Sequence, residues 1–112
     1  MKKILYCLIG SAFAFTACEK VDIAKGAPKC MKQKAIDLEK SPCESDVNIK
    51  EYVFQDKLVY VLNTGNCIAD ASSEVIDDNC NSLGFLGGFG GSTKINGEEF
   101  SKAEYKRTIW EK

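Results

Sequence analysis

Histidine is missing from all 112 residues. That removes Ser-His-Asp and Cys-His nucleophilic sites, which need an imidazole to take the proton. No C-x-x-C occurs either. A thioredoxin-like redox role lacks its motif, and a zinc site lacks both histidine and the close ligand pairs that such sites usually bring. The glycine-rich stretch Gly84 to Gly91 has no G-K-[ST] ending, so it fails as a phosphate loop. Asp77-Asp78-Asn79-x-Asn81 lacks the glycine and distal glutamate of a calcium loop and reads better as a turn with local backbone bonds. No basic block is present, which argues against nucleic acid. The one long apolar run, Ile4 to Phe15, is about a dozen residues, too short to cross a bilayer as a helix.

That run has a role of another kind. Lys2 and Lys3 precede it and Thr16-Ala17-Cys18 follows it, the layout of a secretory signal segment. Phe15-Thr16-Ala17-Cys18 resembles a bacterial lipobox, departing from it at Phe15, where leucine is usual. The resemblance implies cleavage before Cys18, a diacylglycerol on its sulfur and an acylated (palmitate-type) new N-terminus. Residues 1–17 are then the signal peptide, and Cys7 leaves with it. Two or more acyl chains hold a protein stably where one does not.

Cleavage takes 17 of the 112 residues and leaves 95, one small domain. It also takes Lys2 and Lys3, so 13 basic residues face 16 acidic ones, a net charge of about −3. With Cys18 given to lipid, Cys30, Cys43, Cys67 and Cys80 remain, and an even number in a small exported domain reads as two disulfides. Residues 18–27 are expected to be a lipidated tether and 28–112 a single α+β domain.

Within that domain Pro28 to Lys40 predicts a helix, with Met31, Ala35 and Leu38 in one apolar stripe and Ile36 beside it. Ile49 to Gln55 and Leu58 to Asn63 predict a hairpin turning at Asp56-Lys57. Ser73 to Asp77 predicts a third strand. Leu83 to Gly91, with five glycines, predicts a loop or a bulged edge segment. Asn96-Gly97 is the strongest hairpin turn in the chain, with Lys94-Ile95 before it and Glu98 to Phe100 after it. Ala103 to Trp110 predicts a closing strand with Ala103, Tyr105, Arg107 and Ile109 on one face and Trp110 on the other; Ser101-x-x-Glu104 could instead cap a short helix. The expected fold is one N-terminal helix packed on an antiparallel sheet of three to five strands.

Topology selects the disulfide pairing. A helix over residues 28–40 spans about 20 Å, so Cys30 and Cys43 lie too far apart to bridge. Cys43 precedes the first strand and Cys67 follows the second, at one end of the hairpin. The helix start and the end of the third strand meet at the other. The expected bridges are Cys43–Cys67 and Cys30–Cys80.

The residues left for function are few. Phe85 and Phe89, set among glycines, are either aromatic anchors for a partner or core phenylalanines folded under a loop, the commoner fate of phenylalanine. Adjacent Glu98 and Glu99 point to opposite faces of a strand and make a poor acid–base pair.

The pattern E-Y-x-F-x-x-K-x-V-Y-V at Glu51 to Val61, G-N-C at Gly65 to Cys67, S-E-V-I-D at Ser73 to Asp77, C-N-x-L-G-F-x-G-G at Cys80 to Gly88, N-G-x-x-F at Asn96 to Phe100 and R-T-I-W at Arg107 to Trp110 resembles a family of small uncharacterised lipoproteins from Bacteroidota. The resemblance implies an envelope lipoprotein and carries over no catalytic residue. The expectation is a non-enzymatic binding or accessory module without metal or cofactor. It would be held in the bacterial cell envelope by its N-terminal lipid, at the outer membrane on its periplasmic or surface face rather than at the inner membrane, beside an unknown envelope protein. The alternatives are a small disulfide-stapled inhibitor of an envelope hydrolase, acting through a rigid protruding loop, and an enzyme or ligand binder using converging carboxylates.

Overall fold

The computed structural model describes residues 21–112. The signal segment and Cys18 lie outside the described residues. Helix α1 (Cys30–Glu39) comes first, followed by strands β1 (Val47–Phe54), β2 (Lys57–Thr64), β3 (Ser72–Asp77) and β4 (Ser82–Gly87). A small hairpin, β5 (Lys94–Ile95) and β6 (Glu98–Glu99), a 3-10 turn (Phe100–Lys102) and strand β7 (Glu104–Glu111) complete the domain. The sheet has five antiparallel strands in the order β4-β3-β2-β1-β7. Among the described residues no helix is long and apolar enough to cross a membrane.

The first residue of α1 lies just past Pro28, whose carbonyl accepts the Met31 N–H, and the helix closes with Ser41 N–H on the Leu38 carbonyl. Met31, Ala35 and Leu38 are its buried residues, as the stripe predicts. They pack on one sheet face with Val47, Ile49, Tyr60, Leu62 and Ile76. The other face buries Phe54, Val59, Val61 and Val75 under Ile95 of the small hairpin. Strands β1, β2 and β3 thus alternate between two cores, the period-two consequence of the pleat.

The β1–β2 turn falls at Gln55-Asp56, one residue earlier than expected. Both carry positive φ, and Phe54 pairs with Lys57. A two-residue turn with that geometry twists with its strands, whereas lysine at the second position would be strained. Asn96-Gly97 makes the same kind of turn between β5 and β6.

Two readings are corrected, for β7 and for the tether, and the choice left open for the glycine-rich stretch falls to the bulged edge segment. The glycine-rich stretch is a true edge strand over Ser82–Gly87, bulged where Val75 faces Gly84 and Ile76 faces Ser82. Gly84 permits it, because a Cβ there would stand 3.1 Å from Ile95 Cδ1. Strand β7 carries two register shifts against β1, skipping Ile109 and Lys106, so its alternation fails and Ile109 and Trp110 enter the same core. The segment expected as a tether is packed from Val21 onward: Val21 is 7% exposed in the core, and Ala24 N–H donates to the Ile109 carbonyl at 2.9 Å.

Both bridges form as topology selects, with Cα separations of 6.3 Å for Cys30–Cys80 and 5.5 Å for Cys43–Cys67. Gly65 lies against the second of these at φ 116°, and a Cβ there would overlap Cys43.

Candidate functional site

Helix α1 packs chiefly on β1 and β2 and leaves Phe85, on the β4 side of the same sheet face, exposed. A furrow of about 350 Å³ runs there, with Leu38 and Leu62 in its floor and Lys34, Glu74 and Phe85 on its sides. Phe85 stands opposite Glu74 in the β3–β4 ladder. It is 53% exposed and lies on the edge strand, while Leu86 turns into the second core. Among the described residues the outer edge of β4 is paired only where Gly87 bridges to Ser92. An apolar furrow beside free N–H and C=O groups can accept an extended segment that adds to the sheet.

Phe89 lies apart from this furrow. It is 92% exposed, at the tip of a turn held by Gly91 N–H on the Gly88 carbonyl and by the Gly87–Ser92 pair. Burial, the commoner fate of phenylalanine, is therefore overturned for both. Neighbouring glycines offer no side chains to cover them, and the chain that could have done so leaves toward β5 on the other face.

Two further polar arrangements have no signal in the sequence. On the face opposite α1, Asn63 Nδ2 donates to Asn48 Oδ1 at 2.7 Å and the Ser73 hydroxyl donates to Asn63 Oδ1 at 2.6 Å. This row, one residue from each of three strands, lines a hollow of about 260 Å³ beside Asp46 and Lys50. Only strand register brings the three together. On the helix face, Glu51 is 6% exposed and accepts from the Tyr60 hydroxyl at 2.8 Å and from Arg107 Nε at 2.9 Å. Its carboxylate is matched by a cation and a donor, so it is a structural ion pair and not a free base.

The expected turn at Asp77 is present. Asp77 Oδ1 accepts the N–H groups of Asn81 at 2.8 Å and Asn79 at 2.9 Å. These bonds, that of Asn81 foremost, hold its carboxyl below the ordinary value. A hollow of about 560 Å³ nearby is lined by Asp77 and Asp78, but Asp77 is taken up by its own turn. Among the described residues no three acidic or cysteine side chains gather as metal ligands. Glu98 accepts from Gln55 Nε2, and Glu99 accepts from the Thr93 hydroxyl.

Residues 37–112 match the model of a family described as a domain of unknown function, DUF6970. No curated protein and no solved structure matches the chain.

Proposed function

Because the chain belongs to the DUF6970 family of domains of unknown function, we propose a function from its own residues: a lipid-anchored bacterial envelope protein that binds a protein partner and does not transform a substrate. The lipobox-like Phe15 to Cys18 supports the anchor, and the likeness to Bacteroidota lipoproteins supports an envelope place, for which we propose the outer membrane on its periplasmic or surface face. Two disulfides suit an oxidising compartment.

The observation that carries the binding role is Phe85, half-exposed over the furrow beside the open β4 edge. Aromatic side chains at the rim of an apolar groove are common energetic anchors of interfaces. The inhibitor alternative draws on the closed Phe89 tip. That tip lies at the end of the sheet where the chain enters the domain, which in an anchored protein faces lipid more readily than an enzyme.

The test is a photo-crosslinking side chain placed at residue 85 or at residue 57 in intact cells, with acylation of Cys18 followed by mass spectrometry. The reading expects an acylated Cys18 and one discrete protein adduct at residue 85, absent at residue 57 and lost in Cys18→Ala. Clean monomers at both positions would end the binding role.

A further inference from the structure

The N-terminal segment fixes which end of the domain an anchor would draw to the membrane. Ala24 bonds to Ile109, Arg107 Nη1 donates to the Lys25 carbonyl at 2.9 Å, and Cys30 is bridged to Cys80. The segment therefore climbs from the Glu111 end of β7 toward the β3–β4 turn. Followed backward, it leads to Val21 at the end where β7 finishes. Three Cα steps separate Val21 from Cys18, about 11 Å at full extension. A lipid on Cys18 consequently leaves no stand-off. It brings that end of the sheet to the headgroups.

The antiparallel order puts Val47, Thr64, Ser72, Gly87 and Glu111 at this same end. The β2–β3 loop with exposed Ile68 and the turn with Phe89 project from it. The Phe89 tip is braced, since Gly88 N–H donates to the Ala71 carbonyl at 3.1 Å. Five strands spaced about 4.8 Å apart set the β7 and β4 corners about 19 Å from each other. Val21, where the described chain begins, and Phe89 thus lie toward opposite corners of one end.

We propose that this end is a lipid-contact face, with Phe89 entering the interfacial layer and fixing the domain upright at two points. The inference rests on the anchoring reading above. Exposed Asp46 and Asp70 lie at the same end and disfavour an anionic surface, so the occupant is a bilayer of neutral phospholipid headgroups. A rigid aromatic tip loses little conformational freedom on entering it.

The full-length acylated protein, purified from cells and reconstituted into phosphatidylcholine vesicles with brominated acyl chains, tests this. Phe89→Trp places a fluorophore at the tip and Lys57→Trp one at the far end, while Trp110 supplies the same background to both. Loss of most of the added emission at residue 89, with none at residue 57, is expected. Equal quenching at both positions, or none at residue 89 with Cys18 acylated, would overturn the lipid face alone and return Phe89 to a protein partner. An unmodified Cys18 would remove the anchor and this inference with it.

Discussion

Arg107 Nε on β7 stands 2.9 Å from Glu51 Oε1 on β1, and the same guanidinium donates to the Lys25 carbonyl. One side chain thereby neutralises a buried carboxylate and pins the segment leading in from Val21. Breaking one side of such a pair strands the other charge away from water. Arg107→Ala is expected to lower the urea midpoint and raise hydrogen exchange at Ala24. Arg107→Lys, which keeps the charge but loses the planar fork, should fall between it and wild type. Equal midpoints for all three would show that the pair contributes nothing.

Tyr60 makes stability sensitive to alkali. Burial first, and then its bond to Glu51, raise the phenol well above its ordinary value of 10.0. The folded form therefore prefers the protonated phenol. Its contribution is complete below about pH 10, the unfolded value, and is lost as pH rises from there toward the folded value. The melting temperature should fall above about pH 10. Tyr60→Phe should start lower at pH 7, having left Glu51 a donor short, and show a shallower alkaline fall.

Asp77 acts at the other extreme. Its carboxyl is held below the ordinary value of 3.8, chiefly by the Asn81 N–H, so its contribution is present above that value and lost as pH falls through the folded one. Asp77→Ala should melt below wild type at pH 6 and by a smaller margin at pH 2. Asp77→Asn keeps an acceptor oxygen for the same N–H groups and should remove the acid dependence at smaller cost. Melting curves at the two pH values decide the matter.

The helix, the two bridges and the first hairpin are legible in the sequence because each follows from a strong local constraint. Met31, Ala35 and Leu38 recur at helical spacing, and a helix of that length holds Cys30 and Cys43 apart. Strand β4 is less legible, since Gly84 and Gly87 carry no periodic signal and their pairing depends on partners supplied by β3. The bulges of β7 are set by its register on β1, so Trp110 changed sides without any change in its neighbours. Exposure of Phe85 and Phe89 is illegible for a related reason: hydrophobicity says that a side chain benefits from cover and not whether the chain supplies it. The Asn48–Asn63–Ser73 row exists only once three strands are aligned.

The two disulfides give opposing terms whose balance can be measured. They close sequence separations of 50 residues for Cys30–Cys80 and 24 for Cys43–Cys67. Chain entropy alone assigns about 4 kcal/mol to the longer loop and about 3.5 kcal/mol to the shorter. Cys43, however, is fully buried, whereas Cys30 and Cys80 are only partly so. Losing its sulfur also empties packed space beside Val47 and Gly65, a further cost of about 1 kcal/mol. The double variant Cys43→Ala/Cys67→Ala should therefore be at least as unstable as Cys30→Ala/Cys80→Ala, despite its shorter loop. Denaturant unfolding compares them, and digestion at acidic residues, which separates Cys67 from Cys80 through Asp70 and Glu74, verifies the pairing. A clearly larger loss in the Cys30→Ala/Cys80→Ala variant would mean that loop length outweighs packing here.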